Sequence, residues 1–171
     1  MSNSLTKTLY EICQQLHVES YALSKTILGK YFQNAGNIGI FCQNELEFEE
    51  FNLVKGQLTY ATTNENLKYF ELIKPIVIDP IMDIPTTTYT HLYIRKPDTT
   101  PYGKFRGDID FYTSQDELEE IVMKVTSGKL EGAEIYHQKG VGDLVQIHKE
   151  GISTVAYLST KRMTIDIRVK H

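Results

Sequence analysis

The side chains best able to do chemistry lie in two neighbouring stretches, residues 88–96 and 105–112, which both have the composition of β-strands. Side chains two residues apart in a strand share a face. One face of the first stretch therefore carries Tyr89, His91, Tyr93 and Arg95. One face of the second carries Arg106, Asp108, Asp110 and Tyr112. The alternation predicts a polar, tyrosine-rich sheet face with an imidazole, two carboxylates and two guanidinium groups.

A hairpin between the two stretches brings these side chains together. Leu92 and Ile94 must then lie on the same side as Ile109 and Phe111, since a slip by one residue would bury the acids among apolar side chains. One allowed pairing sets His91 opposite Asp110 and Tyr93 opposite Asp108. In this pairing Asp110 orients the His91 imidazole, which predicts a general acid–base pair formed by these two catalytic candidates.

The loop between the stretches is basic although the chain is acidic. Tyr102 lies at its tip, and Lys104 follows, with Arg95 and Arg106 on the flanking strands. Arginine and lysine bind phosphates and carboxylates, so the loop and the tyrosine-rich face predict a site for a polar or anionic small molecule, similar to a nucleotide or a sugar. The alternative is a solvated sheet edge on which charged side chains prevent aggregation.

Asp108 and Asp110 also suit a divalent cation. Two carboxylates on one strand face can share a hard cation with substrate phosphates. The second hypothesis is therefore a metal-dependent enzyme for phosphoryl or nucleotidyl transfer or hydrolysis. An Asp-x-Asp pair is a weak signal by itself, and no third strand carboxylate is evident. Whether the protein is an enzyme stays open at this point.

The hydrophobic pattern predicts one α+β domain over residues 1–171. A helical hairpin is expected over residues 1–36, with a break at 17–20, followed over residues 37–171 by a mostly antiparallel sheet. Two further helices near residues 45–57 and 115–127 begin at the capping residues Asn44 and Ser114 and pack on one face of that sheet. The last forty residues are expected to form a β-meander with strands at 133–138, 144–149, 153–158 and 163–169.

The whole chain narrows the class of protein. It has 171 residues, is 41% hydrophobic and carries a formal net charge of −4, which is typical of a globular domain and unfavourable for bulk nucleic-acid binding. No secretory signal, apolar run of membrane-spanning length or internal repeat is evident, and Cys13 and Cys42 lack metal or redox spacing. A cytoplasmic protein with a small-molecule ligand is expected. A protein partner or a homo-oligomer stays open.

Overall fold

Seven strands form a mixed sheet in a computed structural model that describes residues 2–171, with side chains from residue 4 onward. The strands are β1 (Ala35–Phe41), β2 (Phe70–Ile78), β3 (Thr87–Arg95), β4 (Gly107–Thr113), β5 (Ala133–Gln138), β6 (Gly142–Ile147) and β7 (Thr154–Thr160). Their order is β2-β3-β1-β4-β7-β6-β5. Since β1 pairs with β3 and β4 with β7 in parallel, the expected α+β class is confirmed, but the sheet is not mostly antiparallel.

The predicted hairpin between β3 and β4 is wrong. Strand β1 lies between them, parallel to β3 and antiparallel to β4. Every residue of β1 is buried, and a strand with two covered faces belongs in the middle of a sheet. The two polar stretches still turn most of their polar side chains to one face, because pairing through β1 keeps the same parity as a direct hairpin.

The sheet has an approximate internal twofold that the sequence did not reveal. The first half runs β1, α2 (Glu45–Leu58), β2, β3, and the second runs β4, α3 (Gln115–Thr126), β5, β6, β7. In each half the first strand is parallel to the last, and β1 and β4 meet antiparallel at the centre. Gly39 on the first strand of one half pairs with Tyr93, and Asp110 on the first strand of the other half pairs with Tyr157. The two tyrosines therefore occupy equivalent positions in the two halves.

The N-terminal helical hairpin is also absent among the described residues. A single helix, α1 (Ser2–Leu28), runs through the expected break. His17, Ser20 and Ser24 are fully buried on this helix, and His17 Nδ1 lies 2.8 Å from the Tyr89 hydroxyl. Polar residues that suggested a break are thus part of the buried helix surface. His17 has its partner on β3, and Ser24 donates to the Lys30 carbonyl in the loop after α1 at 2.6 Å. The Ser20 hydroxyl is buried without a hydrogen-bond partner.

The predicted last strand is wrong as well. Thr160 caps a short helix, α4 (Lys161–Asp166), by accepting a hydrogen bond from the Met163 amide at 3.3 Å. The following residues cross the sheet, and Val169 bridges to Leu67. We name residues 161–171 the C-terminal strap. The alternation of Ile165, Ile167 and Val169 resembled a strand, but Ile165 lies on α4 with 48% of its surface exposed, and only Ile167 is buried.

Two apolar clusters cover the two faces of the sheet. The larger one joins α1, α2 and α3 to the face that carries Ile38, Leu92 and Ile109. The smaller one lies on the opposite face and includes Phe41, Tyr69, Tyr157 and the strap residue Ile167. We name this opposite side the cavity face. Among the described residues, no helix has the length and apolar character needed to cross a bilayer.

Candidate functional site

The cavity face encloses a cavity of about 420 Å³ near the centre of the sheet. Asp108 and Asp110 of β4 line it, and each has only 2% of its surface exposed. Gly39 on β1 leaves room for the Asp108 carboxylate, since a Cβ at this position would overlap Asp108 Oδ1. The other lining residues are Phe41, Lys68, Tyr93, Arg95, Tyr102, Tyr136, Gln138, Leu144, Tyr157 and Ile167.

Asp108 is held by tyrosine hydroxyls. Tyr69 donates to Asp108 Oδ1 at 3.1 Å, and the Tyr102 hydroxyl lies 3.4 Å from Oδ2. The Tyr157 hydroxyl donates to the Tyr102 oxygen at 2.8 Å and also lies 3.0 Å from Gln146 Oε1. Tyr102 is thus left to donate its own proton to Asp108 Oδ2. At 3.4 Å this contact is long, so Asp108 Oδ2 is weakly satisfied beside the cavity.

Asp110 is held by a buried amide. Asn37 Nδ2 donates to Asp110 Oδ2 at 2.9 Å and to the Thr164 carbonyl at 2.9 Å, while Asn37 Oδ1 accepts from Arg168 Nε at 2.8 Å. Burial, and then the charge of Asp108, raises the pKa of Asp110 to about 7. Burial also raises the pKa of Asp108. A carboxyl group with a pKa near neutrality exchanges protons readily at physiological pH.

Two cations, Lys68 and Arg95, line the same cavity as the acids. Lys68 Nζ lies 5.3 Å from the ring centroids of Tyr69 and of Tyr93. The Arg95 guanidinium lies between Phe41 and Tyr102, at 4.9 Å and 4.7 Å from their ring centroids, and its Nη2 pairs with Asp98. Arg95 Nη1 is buried and has no hydrogen-bond partner. A buried donor without a partner is costly, so this atom marks a place for an acceptor from a ligand.

Aromatic rings form much of the cavity wall. Tyr93 packs on Tyr69 with ring centroids 5.3 Å apart, and Tyr136 packs on Tyr157 at 5.5 Å. Burial and then the Asp108 charge raise the pKa of Tyr69 and Tyr102 well above the ordinary value, so both stay neutral hydrogen-bond donors. The arrangement thus combines flat apolar walls, neutral hydroxyl donors, two cations and two acids in one space.

Five of the predicted site residues line this cavity together, namely Tyr93, Arg95, Tyr102, Asp108 and Asp110. The placement of the four residues on β3 and β4 follows from the face alternation, which holds from His91 to Arg95 and along β4, while Tyr102 comes from a 3₁₀ turn in the loop between these strands. Their roles in binding or metal coordination stay predictions. The described residues contain no group of three His, Cys, Asp or Glu side chains placed to share a metal ion.

The predicted His91–Asp110 pair does not form. His91 of β3 pairs with Asn37 of β1, and Asn37 pairs on its other side with Asp110 of β4. Strand β1 therefore separates the His91 and Asp110 side chains. His91 Nδ1 lies 2.9 Å from the Thr90 hydroxyl instead. Burial and then the nearby Arg168 charge lower the pKa of His91 to about 4. The position opposite Asp110 is taken by the Asn37 amide, which orients the carboxylate but does not act as a general acid or base.

Tyr89 faces the other side of the sheet. Its ring is fully buried in the core with α1, and its hydroxyl contacts His17. The register of β2 against β3 shifts between Glu71 and Ile76, beside Pro75, and the alternation along β3 changes with it. A regular alternation over residues 89–95 was therefore the wrong assumption, because an irregular edge strand changed which side Tyr89 faces.

Three further predicted ligand residues lie outside the cavity. Lys104 is exposed in the loop after β3. Arg106 forms two hydrogen bonds to the Glu47 carboxylate, at 2.8 Å and 2.5 Å, and so fixes the start of α2. Tyr112 lines a separate depression at the far side of Asn37. The basic side chains expected to form one anion-binding tip therefore lie apart, because Arg106 turns toward α2 while Arg95 lines the cavity.

The Arg106–Glu47 pair should contribute to stability and leave the cavity unaffected. We expect Arg106→Gln to lower the free energy of unfolding by about 1–3 kcal/mol, because a half-buried bidentate pair loses one partner. Lys96→Gln is the matched control, since the Lys96–Glu45 pair is exposed at 65% and 62% of its side chains. Its expected effect is within about 0.5 kcal/mol. Urea unfolding of both variants measures the difference, and equal effects would contradict the structural role of Arg106.

Several cavity residues were missed by the sequence reading. Lys68 lies just before a stretch of strand character over residues 69–78 and was assigned to no element, and Tyr157 and Tyr136 lie in strands of the expected meander. One signal was available: Gly36-Asn37-Ile38-Gly39 and Gly107-Asp108-Ile109-Asp110 each precede a capped helix. If these two stretches are equivalent strands, β1 lies beside β4, and a strand next to β4 is expected to carry a tyrosine as β3 does. Nothing comparable indicated Lys68.

Comparison with known proteins defines the fold and no more. No protein-family model matches the chain, and no curated protein matches it significantly. A solved structure named structural-genomics protein EC4020 is similar, with a TM-score of 0.51, 10% identity, and coverage of 88% of this chain and 86% of that chain. At this identity, the likeness shows a shared fold alone.

Weaker structural likenesses involve methylmalonyl-CoA epimerases. The Streptomyces coelicolor enzyme in complex with 2-nitronate-propionyl-CoA has a TM-score of 0.36 at 16% identity, covering 76% of this chain and 96% of that chain. A methylmalonyl-CoA epimerase in complex with methylmalonyl-CoA and NH4+ has a TM-score of 0.35 at 16% identity, with the same coverage. These TM-scores are too low to support any inference about this chain.

Proposed function

We propose that the cavity binds a small polar molecule with one anionic group and at least one hydroxyl group, of the size of a sugar phosphate. The observation that carries the proposal is the buried Asp108–Asp110 pair in the same cavity as Lys68 and Arg95. A volume of about 420 Å³ lies within the range of small-molecule sites.

The anionic group has two cationic partners. Arg95 Nη1 needs an acceptor, and Lys68 lies over two tyrosine rings without a carboxylate within 4.0 Å among the described residues. A carboxylate or phosphate oxygen would satisfy both groups with charge-assisted hydrogen bonds. The fixed position of Arg95, stacked between Phe41 and Tyr102, reduces the conformational entropy lost on binding.

The hydroxyl group has its partner on the floor of the cavity. Asp108 Oδ2 has only the long contact to Tyr102, so a ligand hydroxyl would complete its hydrogen bonding. The rings of Tyr93 and Tyr136 offer flat surfaces to the apolar face of a sugar or to a base. A ligand with these features extends from the cations to the acids.

A compound screen followed by calorimetry tests the proposal. Sugar phosphates and nucleoside monophosphates are first ranked by the thermal shift of the wild-type protein. We expect Lys68→Gln to weaken binding of the best compound at least about tenfold, a loss of about 1.4 kcal/mol. Lys104→Gln is the control, because this exposed lysine lies outside the cavity and removes the same charge.

The same experiments include outcomes that would contradict the proposal. Equal weakening in Lys68→Gln and Lys104→Gln would indicate a general charge effect. A panel in which no compound stabilises the wild-type protein would contradict a sugar- or nucleotide-like ligand. The same screen with Mg²⁺ and Mn²⁺ tests metal dependence: a metal-induced shift that Asp108→Asn abolishes would favour the metal-dependent alternative.

One observation favours catalysis over binding alone. Asp110 lines the cavity and its pKa is raised to about 7 by burial and by Asp108. A carboxyl group in this state can take a proton from a bound ligand and return it. Incubating the bound compound in D₂O and following deuterium incorporation tests this second candidate. Exchange that is lost in Asp110→Asn supports an acid–base enzyme, and no exchange in the wild-type protein contradicts it.

A further inference from the structure

A second depression lies on the cavity face, where the strap meets β1, β3 and β4. Its volume is about 340 Å³, and it shares no lining residue with the first cavity. Hydroxyl and cationic side chains contribute most of its polar lining. The lining residues are Ala35, Gly36, Thr88, Thr90, Tyr112, Lys161, Thr164, Ile165 and Arg168.

Arg168 is the central group of this depression. Its Nε donates to Asn37 Oδ1 at 2.8 Å, which fixes the plane of the guanidinium. Its Nη2 lies over Gly36, where a Cβ would come within 3.2 Å of it. The glycine therefore leaves the space that the Nη edge of the guanidinium needs at this depression.

The positive charge of Arg168 has no close acid. Among the described residues, no carboxylate lies within 4.0 Å of its guanidinium, although Asp110 and Glu71 influence it from farther away. Burial lowers the pKa of Arg168 from its ordinary value, as expected for a half-buried cation that lacks an ion pair. Arginines are seldom fully buried without an ionic partner, and Arg168 is half-buried without one.

We propose that this depression is a second anion site, in which Arg168 and Lys161 bind a phosphate or carboxylate group with help from the hydroxyl groups of Tyr112 and Thr88. A guanidinium with a free Nη edge binds oxyanions in a bidentate way, and an ammonium adds charge from the side. Thr90 is engaged, since its hydroxyl already contacts the Gly36 carbonyl and His91.

The proposal goes beyond the ligand of the first cavity and does not depend on it. Inorganic phosphate is the probe, added at constant ionic strength while amide signals are followed by NMR. We expect saturable shifts at Gly36, Tyr112 and Thr164, with a dissociation constant in the millimolar range. Shifts confined to Tyr93 and Tyr102 would place the phosphate in the first cavity and overturn the second site.

Matched variants separate the site from general charge effects. Arg168→Gln should weaken phosphate binding at least about tenfold. Arg162→Gln is the control, because Arg162 lies on the same C-terminal strap, within α4, with 91% of its side chain exposed. The phosphate dissociation constant of Arg162→Gln should stay within about twofold of the wild-type value.

Equal weakening in the two arginine variants would overturn the proposal. If Arg168→Gln does not fold, Lys161→Gln takes its place, with an expected weakening of about threefold, since Lys161 is exposed and its charge is screened. Unchanged phosphate affinity in Lys161→Gln would overturn the site equally.

Discussion

Asp110→Asn should make the protein more stable at about pH 8 by roughly 2–4 kcal/mol, and should change its stability little at about pH 4. Burial and the neighbouring Asp108 charge raise the pKa of Asp110 from its ordinary value of 3.8 to about 7. Ionising this carboxyl group in the folded protein is therefore costly. An asparagine removes the charge and can still accept the hydrogen bond from Asn37.

The sign of the pH dependence follows from the direction of the shift. A group whose pKa is higher in the folded protein contributes its stability fully at low pH. That contribution is lost as the pH rises through the folded pKa. Between about pH 4 and pH 7, the wild-type protein should thus lose stability relative to Asp110→Asn. Urea unfolding at several pH values measures the difference.

Other buried groups titrate in the same range with the opposite sign. Burial lowers the pKa of His17 and of His91 to about 4, so both oppose folding as the pH falls below about 6.5. These histidines are present in wild type and variant alike, so their effect cancels in the difference. Asp79→Asn, at an exposed position, is the control for loss of one negative charge. A stability gain in Asp110→Asn that is the same at pH 4 and pH 8 would contradict the raised pKa.

A carboxyl group that lowers stability at neutral pH calls for a functional reason. Sites that bind or catalyse often retain charges whose removal would stabilise the fold. Asp110 is also the group that links the first cavity to the strap, through Asn37 and Arg168. If Asp110→Asn gains stability and loses binding or exchange, the carboxylate is retained for its function.

The local signals in the sequence were reliable where a single residue decides the structure. Asn44 accepts a hydrogen bond from the Glu47 amide at 2.9 Å, and Ser114 accepts one from the Glu117 amide at 3.3 Å, so both predicted helix starts are confirmed. The alternation of Asp108 and Asp110 with Ile109 was also correct. These features depend on neighbours within four residues, which the sequence displays directly.

Strand order could not be derived in the same way. The sequence separates β3 from β4 by a short loop, which favours a hairpin, yet β1 enters between them from more than fifty residues away. Parallel pairing of this kind depends on which strand buries both faces, and the burial of β1 comes from helices and strap residues distant in sequence. The predicted His91–Asp110 pair failed for this reason, while the residues on one strand remained together.

Gly39→Ala should damage the first cavity directly. The added Cβ would overlap Asp108 Oδ1 and would lie 3.2 Å from its Cγ, with the Phe41 ring at 3.4 Å on another side. The carboxylate must move and lose its hydrogen bond from Tyr69. We expect the free energy of unfolding to fall by about 1–3 kcal/mol, since overpacking a buried site forces neighbours out of their preferred positions.

The same substitution at Gly56 provides the contrast. Gly56 lies inside α2, and a Cβ there meets no atom within 4 Å. Gly56→Ala should raise stability by about 0.5–1 kcal/mol, because alanine favours the helix. Urea unfolding of the two alanine variants should therefore give changes of opposite sign.

A further distinction comes from ligand binding: the compound that stabilises the wild-type protein should bind Gly56→Ala normally and Gly39→Ala at least about tenfold more weakly. Normal binding by a destabilised Gly39→Ala would show that the position of the Asp108 carboxylate does not matter to the ligand.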